Sequence, residues 1–371
     1  MKQTAVLDRR AEASEVLQRA LDGQRLTPAE GLLVHDHADL FELGRVADEL
    51  RRRRYEKEGR AEVRTFVIDR NIYPTNVCNV HCQFCNFYVP PGAKTGKYTH
   101  SADEILKMVE ELVALGGTQA MIQGGVNPEL GLDYYATIFR RVKERFPQVA
   151  VHSLSVVELL GLAEKERLPV REVMVRLREA GWDSLPGAGA EMLVERVREA
   201  ISPLKATTQT WLDTMRTAHE LGLRSSATMV YGCGETHAER IEHLERLRAL
   251  QDETGGFLAF VPWSMSTRNT RIAHIPEETG LTYLRMMALA RVYLDNFDHI
   301  QAGWVTNGPR LAQVALDFGA DDFGGVLMEE KVVSATGVDA RITVPEVVRL
   351  VQTAGHRAAQ RDTFYRIVRE F

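Results

Sequence analysis

From residue 71 to residue 89 the chain reads NIYPTNVCNVHCQFCNFYV, which sets Cys78, Cys82 and Cys85 in a C-x3-C-x2-C pattern directly after a β-rich run at 64–69. With four cysteines in 371 residues, a given spaced triple arises by chance roughly once in two thousand such chains. A disulfide framework would spread an even number of cysteines along a short secreted chain, and these are clustered instead. Structural zinc wants a fourth ligand nearby; a second C-x2-C or an H-x3-H pair is missing, and His81 sits inside the loop with cysteines on both sides. A cluster dedicated to electron transfer takes four thiolates, and Cys233 lies about 150 residues away in a different motif. Three thiolates and no fourth describe a [4Fe-4S] cluster with one iron left open to a small molecule.

Outward from this loop the chain alternates between short β-rich runs and amphipathic helices. Candidate strands are 64–69, 119–123, 149–153, 184–186, 224–231, 257–263, 299–302 and 322–325. Between them run helical stretches such as SADEILKMVEELVALGG and HAERIEHLERLRALQDETGG, several ending in glycine as helix C-termini do. Such alternation implies a parallel sheet with helical crossovers. Eight units predict an α/β fold, an eight-stranded TIM-like (β/α) barrel, with a six-unit open barrel as the alternative. The cysteine loop then leaves the C-terminal end of the first strand, the face where such barrels build active sites.

Residues 1–62 read as an N-terminal helical region, with Ser14 as a candidate N-cap, Gly23 as a stop and Thr27 with Glu30 as a capping box. Residues 63–300 form the expected barrel core. Residues 301–371 are expected to complete the barrel and close in one or two C-terminal helices.

The balance of 46 Lys+Arg against 51 Asp+Glu gives a net charge of −5. That argues against nucleic-acid binding by phosphate neutralisation and against a polybasic membrane anchor. No apolar run approaches the ~18 residues of a membrane span, and MKQTAVLDRRAEASEVL lacks the apolar stretch of a signal peptide. The expectation is a cytoplasmic protein with a small-molecule substrate, no nucleic acid and no membrane.

With Phe84 just before the last cysteine, the loop resembles that of the radical S-adenosyl-L-methionine (SAM) superfamily. The resemblance implies that SAM chelates the open iron, that one electron cleaves its S–C5′ bond, and that a 5′-deoxyadenosyl radical takes a hydrogen from the substrate. The protein supplies placement and exclusion of side reactions. Gln123, Gly124 and Gly125 resemble the segment that holds the SAM amine; a plain βα turn is the bland reading. Residues 228–235, TMVYGCGE, resemble the adenine-contacting G-x-I-x-G-x-x-E, with Thr228 in place of the first glycine and Val230 beside the adenine. In that motif Cys233 reads as a buried, inert thiol. Glu158, in HSLSVVE, resembles the acidic residue that binds the SAM ribose, against an ordinary first-turn Glu at a helix N-terminus.

Longer phrases, among them IQGGVNPELGLDYY, DSLPGAGAE, ISPLKAT, LQDETGGFLAFVPW and ADDFGGVLMEEKVVSATG, extend the likeness over 69–337. They resemble the futalosine-pathway and deazaflavin-synthesis branch of the superfamily. CNFY after the cluster, QGG-x-NPEL and the Pro262-Trp263 pair resemble its cyclases, which act on dehypoxanthine futalosine in menaquinone biosynthesis. This implies hydrogen abstraction at ribose C4′, ring closure on the benzoate, and a low-potential electron donor such as flavodoxin or ferredoxin. A substrate with a sugar and a carboxylate needs polar partners. Candidates at strand ends are Ser153, Ser155, Trp263, Thr267, Asn269, Gln301, Trp304 and Asn307, with His152 or Glu235 as proton acceptor. SMSTRNT after the Pro-Trp pair and VPPGAKTGKYTH after the cysteines depart from the family pattern. The sister aminofutalosine synthases, a deazaflavin-type enzyme and a zinc-binding barrel module without turnover are the alternatives.

Overall fold

The computed structural model describes every residue except 1, 327, 339 and 340, with side chains from residue 7 onward. Its strands are β1 (Val63–Val67), β2 (Asp69–Ile72), β3 (Gln119–Ile122), β4 (Ala150–Ser153), β5 (Ser184–Leu185), β6 (Arg224–Tyr231), β7 (Phe257–Ser264), β8 (His299–Ile300), β9 (Asp322–Gly325), β10 (Arg357–Arg361) and β11 (Ile367–Glu370). Strands β2 to β8 pair in sequence order, all parallel, as one seven-stranded sheet. A second sheet runs β11-β10-β1-β9. Only Ile68 separates β1 from β2, so the first strand serves both sheets. At the other edge a lone bridge joins Gln301, just past β8, to Asp322 of β9.

All eight expected strands are therefore present, but they do not form one continuous ladder. The parallel sheet curls through seven strands, and β9 with β1 fills the remaining gap. The interruption has a local cause. Strand β8 is only two residues long, and the β1–β9 register shifts between Thr65 and Val67. There Gly324 takes φ +101°, and the Asp69 carboxylate lies where a Cβ on Gly325 would be, 2.4 Å from it.

The crossover helices follow from capped amphipathic segments. In Ala102–Ala114, Ser101 and Glu104 form a reciprocal capping box, and Ile105, Leu106, Val109 and Leu112 turn inward. Thr236 with Glu239 and Ser155 with Glu158 repeat the device. The N-terminal region is three helices, Lys2–Leu21, Pro28–His37 and Leu40–Glu56. Thr27 and Glu30 do form a capping box. Ser14 is not a cap: it lies inside the first helix, and its hydroxyl donates to Glu42 at 2.5 Å. The region is tied to the barrel by Arg54 to Asp298 (2.7 Å) and by the Tyr55 hydroxyl to Asp321 (3.1 Å).

The C-terminus departs from expectation. One helix, Val344–Thr353, forms, and Gly355 at φ +88° follows it; β10 and β11 then make an antiparallel hairpin instead of a second helix. Strand β10 adds in parallel to the outer edge of β1. The inward residue is a charge, which hid the strand pattern. Arg361 is buried in an ion pair with Asp322 (2.5 and 3.0 Å) and lies 3.9 Å from the Tyr365 ring centre. Asp362 fixes the turn by accepting the N–H groups of Phe364 and Arg366 (2.8 and 3.0 Å).

No helix is long and apolar enough to cross a membrane among the described residues.

Candidate active site

A cavity of about 440 Å³ runs through the interior of the curled sheet, and Cys78, Cys82 and Cys85 all lie on its wall. The loop that carries them is held by backbone bonds to its own return stretch, to the turn after β3 and to the end of the helix Glu195–Ile201: Cys78 N–H to Val89 O (3.1 Å), Asn79 N–H to Val126 O (3.1 Å) and Gln83 N–H to Ile201 O (2.8 Å). Asn76 braces the departing chain, donating to Gly96 O and accepting from Tyr98 N–H. Within the loop His81 takes φ 56° and stacks on Tyr88.

The glycine pair explains how the loop comes so close. A Cβ on Gly124 would lie 2.7 Å from Thr75 O; one on Gly125 would lie 2.2 Å from Val77 O and 3.0 Å from the Cys78 Cβ. Both glycines line the cavity, yet their first contact is with the backbone of the cysteine loop itself.

The three thiols fit an iron–sulfur cluster. All are free of disulfides. Burial pushes the Cys78 and Cys85 thiols up, so the bare site favours protonated sulfur; a bound cluster would hold them as thiolates. Beside them lies a compensating cation. The Lys205 ammonium is ion-paired with Glu191 and sits 5.3 Å from the Phe84 ring centre. Burial works against its charge, but Glu191, and secondarily Cys82, outweigh burial and push its pKa up. Glu191 Oε2 is buried without a partner, and Glu191 and Lys205 both line the cavity.

The structure gathers many of the expected residues on this wall: Phe84, Gln123, Gly124, Gly125, His152, Ser155, Val230, Trp263, Gln301 and Trp304 join the three cysteines. His152 is fully enclosed, with Nδ1 2.7 Å from the Ser184 hydroxyl. Burial, and secondarily Arg361, pushes its pKa down to about 3, so the ring is neutral. Trp304 donates Nε1–H to Gly325 O at 2.9 Å, which fixes its ring.

Six expected site residues are not on the wall. Ser153 donates its hydroxyl to Ile122 O. Glu158 accepts from Gly124 N–H (2.9 Å), Ser155 N–H (2.7 Å) and the Ser155 hydroxyl (2.7 Å); it caps a helix and fixes the glycine turn rather than facing a ribose. Burial pushes that carboxyl up to about 7 against those donors. Glu235 accepts from the N–H groups of Gly232 and Cys233 and from Arg240, all at 2.8 Å, so it is a turn clamp and not a proton acceptor. Thr267 donates to Ile275 O, Asn269 to Thr336 O, and Asn307 to Ser264 Oγ. Cys233 is buried away from the cavity, its thiol near Val230 O and pushed up by burial.

Sequence reading missed Glu191, Lys205, Asp69, Glu330, Arg361 and Tyr365, all on the wall. The phrases DSLPGAGAE and ISPLKAT carried Glu191 and Lys205, but nothing in either phrase shows that the two meet.

A three-thiol loop on the wall of a parallel α/β barrel is the arrangement of a radical SAM protein. The description "Radical SAM superfamily" matches residues 72–247, and "CofH/MqnC C-terminal region" matches residues 254–370. The chain is 45% identical over 96% of its length to a cyclic dehypoxanthine futalosine synthase of Streptomyces coelicolor, covering 89% of it. It is 39% identical over 96% to one of Halalkalibacterium halodurans (95% covered), and 39% identical over 95% to an aminodeoxyfutalosine synthase of Thermus thermophilus (95% covered). Among solved structures, the [FeFe]-hydrogenase maturase HydG matches with a TM-score of 0.74 at 15% identity, covering 96% of this chain and 78% of that one. Methylornithine synthase (PylB) matches with a TM-score of 0.72 at 16% identity, covering 93% and 97%. These two show the fold. The chain belongs to the radical SAM superfamily and, within it, to the family of the cyclic dehypoxanthine futalosine synthases.

The family uses a [4Fe-4S] cluster and SAM.

Proposed function

We propose that this protein converts dehypoxanthine futalosine to its cyclic form in menaquinone biosynthesis, by hydrogen removal at ribose C4′ and ring closure on the benzoate. The observation that carries the reading is one continuous cavity whose wall holds the three cysteines of the radical SAM part and Trp263, Gln301, Trp304 and Tyr365 of the C-terminal part.

Cys78, Cys82 and Cys85 would hold the cluster, which with SAM supplies a 5′-deoxyadenosyl radical. The chain's own residues bind, orient and exclude water. Glu191 and Lys205 present opposite charges beside the cysteines, which suits the ammonium and carboxylate of the methionyl group. Gln123, just past β3, and Val230 of β6 line the same wall. His152 lines this wall as a neutral, enclosed ring available as a hydrogen-bond partner, since burial disfavours its protonated form. The indoles of Trp263 and Trp304 offer flat walls for the substrate ring. Enclosure by the curled sheet keeps water from the radical and holds ring and sugar at near-attack distance. A low-potential electron donor such as a flavodoxin or ferredoxin would supply the starting electron.

The test is an anaerobic reaction with SAM, a reductant and substrate deuterated at ribose C4′, read by mass spectrometry. Deuterium should appear in 5′-deoxyadenosine, and the cyclic product should weigh two hydrogens less than unlabelled substrate. The likeness to an aminodeoxyfutalosine synthase sets the competing outcome: adenosyl carbon built into the product would overturn the cyclase reading.

A further inference from the structure

Outside the barrel cavity, two histidines and an aspartate meet where the N-terminal helices rest on the barrel. His35 and Asp36 occupy the last turn of the helix Pro28–His37, and His237 opens the helix His237–Thr254. Both imidazoles turn Nδ1 to the same oxygen: His35 lies 2.9 Å and His237 2.6 Å from Asp36 Oδ1. The ring centres are 4.0 Å apart. One ligand atom from each of the three side chains falls within 4.8 Å of the others.

We propose that His35, Asp36 and His237 bind a divalent transition-metal ion, with zinc the best match. The donor chemistry is two imidazoles and one carboxylate, a set that zinc takes in tetrahedral geometry with a fourth position for water. At metal–ligand distances of about 2.0–2.2 Å, the three atoms need to spread by roughly half an ångström. Asp36 and His237 have the freedom to do so, since their side chains are 33% and 53% exposed. His35 supplies the rigid corner: it is 4% exposed, and its Nε2 is buried with no hydrogen-bond partner. All three residues line one open cleft, and Arg240, on the same cleft, has Nη1 buried without a partner.

The charges around the cleft permit a cation. Arg240 is neutralised between Glu235 and Glu278. Arg285 donates to the carbonyls of His35 and Ala38 at the end of its neighbouring helix. Asp39 and Glu278 face the cleft as well, against Arg10. An ion here would join a residue pair of the N-terminal region to the first residue of a barrel helix, so it acts as a staple between them and takes no part in the radical chemistry.

The test uses the cluster-loaded protein under anaerobic conditions, so that the cysteines are occupied. Zinc is added, excess is removed, and metal content and melting temperature are measured; Co²⁺ is then used as an optical probe. One zinc per chain beyond the cluster iron is expected, with a rise in melting temperature. The Co²⁺ spectrum should show tetrahedral ligand-field bands without thiolate charge-transfer absorption. His237→Ala, at an exposed position, should lower zinc affinity at least about tenfold and abolish the rise. Asp36→Asn should weaken binding too. Failure of the wild type to take up zinc, equal uptake by His237→Ala, or a thiolate-type Co²⁺ spectrum would each overturn the proposal. None of these readouts depends on the cyclase reading.

Discussion

Replacing Gly125 with alanine adds one methyl group, and the structure says where it goes. The new carbon would lie 2.2 Å from Val77 O, 2.7 Å from Val77 C and 3.0 Å from the Cys78 Cβ. Ordinary contact needs more than an ångström of extra room. Two of the three neighbours are backbone, so no side chain can rotate aside; the cysteine loop must move as a body. Overpacking of this kind costs about 1–3 kcal/mol, and the backbone identity of the neighbours puts it at the upper end. The displaced atoms lead straight into Cys78, so the loss should appear first in cluster assembly. Anaerobic reconstitution followed by iron determination should find Gly125→Ala short of iron, with a lowered melting temperature. Gly124→Ala, whose methyl would meet Thr75 O at 2.7 Å, should be milder. Gly92→Ala is the control, because nothing lies within 4 Å of its added carbon. If Gly125→Ala took up iron and melted as Gly92→Ala does, the account of the glycine pair as a seat for the cysteine loop would be wrong.

Single Cys78→Ala, Cys82→Ala and Cys85→Ala substitutions should each abolish cluster assembly, whereas Cys233→Ala, buried off the cavity, should keep normal iron content; full iron loss in Cys233→Ala would point to a four-cysteine cluster. Lys205→Met leaves Glu191 buried beside the cysteines without its partner, so SAM affinity, read by equilibrium binding to the iron-loaded protein, should fall at least about tenfold, with a cost in stability of about 3–5 kcal/mol. Unchanged SAM binding in Lys205→Met would remove the pair from the cofactor site. Acid should destabilise the fold through its buried histidines. His152 and His243 have pKa values pushed down by burial to about 3, below the ordinary 6.5. Their stabilising effect is complete above pH 6.5 and is lost as pH falls from there toward 3, because the unfolded chain takes up protons that the fold refuses. From pH 6.5 to 5 each costs about 2 kcal/mol, so urea unfolding should show a steep decline that His243→Gln makes shallower. An equal slope in that variant would contradict the assignment.

The strands were legible because each is a short run bounded by turn residues, and all eight form, seven in the curled parallel sheet and the last, β9, beside β1 in the second sheet. The C-terminal hairpin was not. Its inner position is Arg361, paired with Asp322, which lies far away in the sequence, so a strand that buries a charge reads as an exposed helix. The cysteines were legible because a cluster demands one residue type at close spacing on a single loop. Lys205 and Glu191 were not, since their meeting is a tertiary event between two unremarkable phrases. Glu158 and Glu235 show the opposite error. Both sit three residues after a helix-starting or turn-forming residue, where a carboxylate serves backbone N–H groups as readily as it serves a ligand, and here the backbone took them.

Thr267 and Asn269, expected at the substrate, instead show how the two parts of the site are coupled. Asn86, just past the last cysteine, donates to Asn269 O at 2.5 Å, and Arg271 donates to the Tyr88 hydroxyl at 2.9 Å while its own N–H bonds Gln83 O. Asn269 in turn donates to Thr336 O, and the Thr336 hydroxyl pairs with Ser266. The cysteine loop is thus latched to the segment after β7 and, through it, to the short turn at 334–336. In the proposed reaction a radical made at the cysteines would act on a substrate that also touches the C-terminal part of the wall, and a misplacement of about an ångström costs such a reaction heavily. Backbone-directed bonds at 269 and 271 fix that distance better than a flexible side chain reaching into the cavity could. The unusual sequence after the Pro262-Trp263 pair is accounted for as the latch between cluster and substrate wall.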